Sequence, residues 1–124
     1  MREIIRTTEA PTSPLFAQAV RAAGTIYVSG TVGIDPAKRR LAGPTVQEQT
    51  RQAVANCARV LAAAGATLDD VVEVGVLLVD PGDFDGLNEV YAELFPVDPP
   101  ARYVAALGAR PPGVRVSVRM TAVP

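Results

Sequence analysis

The segment best suited to chemistry is Asp98-Pro99-Pro100-Ala101-Arg102-Tyr103-Val104. Two prolines stiffen the backbone that leads into a run of β-forming residues. Arg102 stands at the start of that run. A guanidinium there can grip a carboxylate through two parallel N–H donors, a geometry that lysine cannot match. Taken alone, Arg102 reads first as a surface charge near a strand end. On an extended strand, Arg102, Val104 and Ala106 share one face, and Tyr103, Ala105 and Leu107 share the other.

Other chemistries are absent from the composition. There is no histidine among the 124 residues. Ser-His-Asp and Cys-His pairs, histidine-ligated zinc and imidazole-based ribonuclease chemistry are therefore excluded within the chain. Asp80, Asp83 and Asp85-Gly86 resemble a calcium loop only superficially. Pro81 occupies that motif's first ligand position, and Ala92 stands where its bidentate Glu belongs. Asp83 reads instead as a helix cap. Neither a metal nor another cofactor is expected. Cys57, the single cysteine, lies on an apolar helical stripe and reads as a core residue rather than a nucleophile.

These residues need a scaffold, and the patterning predicts one α+β domain spanning 1–124. Strands are expected around Ile4-Ile5, over Phe16–Arg21, over Thr25–Gly30, over Val71–Val79, over Ala101–Leu107 and over Val114–Val123. Asp35-Pro36-Ala37-Lys38 reads as a turn. Thr45 and Glu48 have capping-box spacing, Ala53, Val54, Cys57, Val60, Leu61 and Ala64 recur at helical intervals, and Gly65 suits a C-cap. A second helix carries Leu87, Val90, Tyr91 and Leu94, and Pro96 stops it. The order is β-β-β-α-β-α-β-β, one mixed sheet with both helices on one face. In the last strand Val114, Val116, Val118, Met120 and Ala122 alternate with Arg115, Ser117, Arg119 and Thr121. The central strand is apolar on both faces, so the open face of the sheet should have a partner, and a closed homo-oligomer supplies one.

Net charge is −1, charged residues make up 20%, and the only basic triplet is Lys38-Arg39-Arg40 in a turn. Neither nucleic acid nor an anionic membrane is expected as a partner. One cysteine permits no internal disulfide, which fits a reducing, cytoplasmic setting. The N-terminal segment lacks the apolar core of a signal peptide.

Pro100-Ala101-Arg102, Val28-Ser29-Gly30 upstream and Asn88-Glu89-Val90-Tyr91-Ala92-Glu93-Leu94-Phe95 between them resemble the Rid (reactive intermediate/imine deaminase) family. Some of its members carry an older label as L-PSP-type endoribonucleases. The resemblance covers nearly the whole chain. It implies a chorismate-mutase-like fold and a homotrimer whose sheets form a central barrel, with ligand sites between subunits. In the family's deaminases an Arg binds the carboxylate of a 2-imino acid, and Arg102 matches it. Ser29 and Gly30 match residues that line the pocket. With Gln18 as anchor, Phe16 matches an aromatic that is usually Tyr. Asn88 matches the helix motif in a structural role. Val104 stands where many members have Cys. Counting along the last strand, Arg119 stands where the deaminases have a water-positioning Glu. An Arg is protonated at neutral pH and cannot serve as a general base. It is either a second anion contact or half of an ion pair across the trimer interface.

Three functions follow from this pattern. The first is an enzyme acting on imine or enamine intermediates of small carboxylic acids, with Arg102 catalytic through its grip on the carboxylate. Its binding set is Arg102, Ser29, Gly30, Phe16, Val104 and Arg119. The second is a non-catalytic trimer that binds small acids as a metabolite sensor or interaction module. The third is ribonuclease activity, against which the absent histidines, the charge and the few aromatics all count.

Overall fold

The structure is a computed structural model that describes all 124 residues. Its main sheet has six strands in the order β1-β2-β3-β8-β6-β7. These are β1 (Glu3–Ile5), β2 (Ala19–Ala22), β3 (Thr25–Val32), β6 (Val71–Leu78), β7 (Ala101–Ala106) and β8 (Val116–Ala122). The pairings are antiparallel except β6 with β7, which are parallel. A parallel pair needs a crossover, and helix α2 (Phe84–Leu94) provides it. Helix α1 (Val46–Ala63) links the N-terminal strands to β6. The expected α+β class, strand order along the chain and single mixed sheet with two helices are all present.

Helix α1 begins where the Thr45 side chain accepts from the Glu48 N–H, and Glu48 returns a carboxylate to the Thr45 N–H. Ala64 caps its C-terminus, and Gly65 follows at φ +78°, in the left-handed conformation that glycine tolerates. Its stripe of Ala53, Val54, Cys57, Val60 and Leu61 packs on Ile26, Val28, Val74, Val76, Val116, Val118 and Met120 in one apolar core. The alternation in β8 is therefore real: residues 116, 118, 120 and 122 face the helices, and 117, 119 and 121 face the open side.

Several local expectations are corrected. Ile34–Asp35 (β4) and Arg40–Leu41 (β5) form a separate two-stranded hairpin around the predicted turn. Asp35 Oδ1 accepts from the Ala37 and Lys38 N–H groups, and these bonds lower its pKa. The second strand starts at Ala19, not Phe16. Residues 16–18 are loop, pinned by the Gln18 amide, which donates to the carbonyls of Thr7, Ala10 and Pro11. The last strand begins at Val116 rather than Val114. Asp83 makes no side-chain cap. It takes both a 2.9 Å bond from Arg115 Nε and a 2.9 Å bond from Arg115 Nη2. The Asp80 side chain instead accepts from the Gly82 N–H in the preceding 3-10 turn.

The helix layer meets the sheet at one close crossing. A Cβ at Gly33 would overlap the backbone carbonyl of Gln49 in α1. The fully buried Gln49 side chain donates to the carbonyls of Gly43 and Gly113 and accepts from the Arg115 N–H at 2.8 Å. Since neither backbone can yield easily, Gly33→Ala should destabilise the fold by about 1–3 kcal/mol in urea unfolding. A value near zero would show that the crossing relaxes.

Candidate active site

Arg102 lies opposite Val74 in the β6–β7 register, so its side chain leaves the sheet on the helix side. There helix α2 presents Phe84, Asn88 and Tyr91, spaced at i, i+4 and i+7 on one helical face. Arg102 Nη1 donates to Asn88 Oδ1 at 2.8 Å. The guanidinium carbon lies 4.7 Å from the Tyr91 ring centroid and 5.9 Å from that of Phe84. Cation–π attraction and one charge-assisted bond thus hold the guanidinium on the outer edge of the sheet, with its other N–H donors free. Arg102 is exposed to solvent. Tyr91 beneath it is buried, and its hydroxyl has no hydrogen-bond partner. Burial raises its pKa, and the Arg102 charge offsets part of that.

Ser29 and Gly30 occupy a β-bulge in β3, where the register against β8 shifts between Val28 and Thr31. Ser29 Oγ donates to the Ala17 carbonyl at 2.5 Å, tying the bulge to the loop that carries Phe16. Phe16 is 53% exposed and lines a cavity of about 490 Å³ with Arg2, Ile4, Arg6 and Leu15. The bulge lies three strand intervals from β7, roughly 14 Å across the sheet. Arg102 and the Ser29–Gly30–Phe16 group therefore do not meet within one chain.

Arg119 is on the other face from Arg102. It lies opposite Gly75, whose missing side chain leaves room for the Arg119 stem and the Tyr103 ring. Its guanidinium turns toward Glu73, 3.9 Å away, beyond hydrogen-bonding distance. Arg119 thus points along the sheet toward β6, away from the bulge. Val104 is half-buried on the Arg102 face. No three His, Cys, Asp or Glu side chains converge in a metal-binding group. No helix is long and apolar enough to cross a membrane.

The endoribonuclease L-PSP family model matches residues 7–124. This chain belongs to that family, the Rid proteins. Among Rid relatives, mouse 2-iminobutanoate/2-iminopropanoate deaminase is 40% identical over 124 residues, covering 99% of this chain and 92% of that protein. A protein of the conserved Rid family from Yersinia pestis superposes with a TM-score of 0.94 at 29% identity, covering all of both chains. E. coli TdcF, solved with bound serine, superposes at 0.89 with 28% identity and 98% coverage of each chain.

The Rid resemblance pointed to Arg102 without its supports. Phe84 and Tyr91 were missed as its seat, although their spacing with Asn88 on one helical face was readable. Cys57 is fully buried, and burial pushes its thiol up to about 12. Because the folded value lies above the unfolded one, this thiol's contribution to stability is intact below about pH 9 and is lost as pH rises toward about 12. At pH 8 a disulfide exchange reagent should titrate no thiol in the native protein and one per chain in denaturant; rapid native labelling would contradict this burial.

Proposed function

We propose that this chain is an enzyme that hydrolyses imines, or the enamines in equilibrium with them, of small 2-oxo acids. Arg102 holds the substrate carboxylate. The observation that carries this reading is the state of the Arg102 side chain: exposed, seated on Tyr91, bonded to Asn88, and with free donors. The mouse relative's name gives the reaction class, and the serine bound to E. coli TdcF is a small carboxylate of suitable size. The hydrolysis itself asks for little catalytic power. Water adds to the imine carbon, the π pair goes to nitrogen with the proton that the water releases, and the C–N bond then breaks to give ammonia and the 2-oxo acid. Orienting the substrate by its carboxylate and excluding wrong approaches supplies most of what is needed.

The site is completed by another copy of the chain. Arg102 on one edge and the Ser29–Gly30 bulge with Phe16 toward the other can line one pocket only when two copies adjoin. The exposed face of the sheet supports this, since Tyr27, Val72 and Tyr103 are 47%, 48% and 40% exposed on or beside it. The Rid resemblance supports a trimer as that assembly. Sedimentation equilibrium should then give three copies of the 13.0 kDa chain, about 39 kDa. A monomer at micromolar concentration would remove the composite site.

The activity is tested by generating 2-iminobutanoate with an amino-acid oxidase and following ammonia and 2-oxobutanoate. Wild-type protein should accelerate their release. Arg102→Ala should lower kcat/KM by about 10- to 100-fold, and Arg102→Lys should recover only part of that. Equal rates with and without wild-type protein would sink the hydrolase reading. One feature favours a second reading, a trimer that binds small acids without turnover: neither Arg102 nor the bulge has a carboxylate or imidazole at hand as a base. Calorimetric binding of 2-oxobutanoate without ammonia release would select it. RNA cleavage, despite the family label, is not proposed for a chain with no histidine and a net charge of −1.

A further inference from the structure

The cavity of about 490 Å³ beside Phe16 holds two cations that the imine chemistry has not used. Arg2, Ile4 and Arg6 line it from β1 and its two ends, and the loop running up to Gln18 closes it. Ile4 pairs with Val20, Val20 with Tyr27, and Tyr27 with Thr121. Paired residues project to the same side of a sheet. The cavity therefore opens on the face that an adjoining copy is proposed to cover. Arg6 is anchored there through its neighbour. The Thr7 N–H donates to Gln18 Oε1 at 2.8 Å, and Gln18 Nε2 donates back to the Thr7 carbonyl at 3.0 Å. These bonds tie the end of β1 to the loop that carries Phe16.

Neither arginine has a counter-charge. Both are exposed, and none of the ion pairs in the chain includes them. Glu3 lies between them in sequence but faces the other side of the sheet, where it pairs with Arg21 at 2.9 Å. Arg119, a further cation on the open face, turns toward Glu73. Two like charges lining one cavity repel, and an anion between them reverses the sign of that interaction. Ile4, Leu15 and Phe16 give the same cavity apolar walls. Cationic ends on an apolar floor suit a carboxylate carried on a short hydrocarbon chain.

We infer that Arg6, supported by Arg2, binds a second carboxylate, so that the preferred substrates are imines of 2-oxo diacids rather than of 2-oxo monoacids. The inference rests on the proposed imine hydrolysis and names the substrate class of that site. Arg102 holds the carboxylate beside the imine carbon, and Arg6 of the adjoining copy holds the distal one. The methylene groups between them lie along Phe16. A guanidinium is the right group for the distal end, because it stays charged and takes a carboxylate through two parallel donors. Substrates of this class arise where an acidic amino acid is oxidised at its amine.

The test compares 2-iminoglutarate and 2-iminobutanoate, each generated by an amino-acid oxidase, in the intact assembled protein. The wild type should show the higher kcat/KM for the diacid. In Arg6→Ala the ratio of the two kcat/KM values, diacid over monoacid, should fall about tenfold, with the change carried by KM. Arg6→Lys should recover part of the ratio, and Arg2→Ala should lower it less than Arg6→Ala. An unchanged ratio in Arg6→Ala overturns the inference. So does a loss of assembly mass in Arg6→Ala and Arg6→Lys alike, which would make these arginines ion-pair partners between copies. A second readout needs neither turnover nor a variant. In calorimetry at low salt, 2-oxoglutarate should bind the wild type about tenfold more tightly than 2-oxobutanoate, and the gap should close as salt is added. Equal affinities overturn the inference even if the protein is an active hydrolase. Tighter 2-oxoglutarate binding in a protein that releases no ammonia overturns the hydrolase reading and leaves the diacid site standing.

Discussion

The register of β8 between β3 and β6 governs where every candidate residue can act. The strand pairs on both sides, Met120 with Val28 and Val74, Val118 with Thr31 and Val76. Strand pleat then sends residues 117, 119 and 121 to one face and their neighbours to the other. Through β6 the same register places Arg102 on the helix side and Tyr103 on the open side. A slip of one residue would exchange the faces, burying Arg119 in the core. The apolar cluster of Val116, Val118 and Met120 against α1 prevents it.

This constraint separates the two halves of the proposed site. An arginine aimed at a ligand must be held without losing its donors, and the seat on Phe84, Asn88 and Tyr91 does that from a rigid helix. The same helix is the crossover that the parallel β6–β7 pair requires. Scaffold and seat are thus one element. The other half depends on backbone freedom: a bulge at Ser29–Gly30, and small residues at Gly30 and Gly75 that keep the open face thin.

Much of this was readable from residue order. Helix α1 declared itself through Thr45, Glu48 and Gly65, and β8 through its strict alternation, because both are local patterns. The β4–β5 hairpin did not, since two-residue strands carry no period. The start of β2 was misplaced because Phe16–Gln18 are held out of the sheet by bonds from Gln18 to residues seven or more positions away. Asp83 was read as a cap because its true partner, Arg115, is 32 residues distant. Arg119 was grouped with Arg102 because spacing within each strand does not say which face of the sheet the two strands share. That needs the β6 register, a long-range property.

The central position of β8 also shapes how the chain is made. During synthesis β8 emerges after both of its neighbours, so β3 and β6 wait without the strand that lies between them. Until then the N-terminal meander and the β6–α2–β7 unit are two separate pieces, each with an unpaired edge able to template the wrong partner. A nonsense mutation that removed only residues after Val114 would take the keystone from the middle of the sheet rather than trim its border.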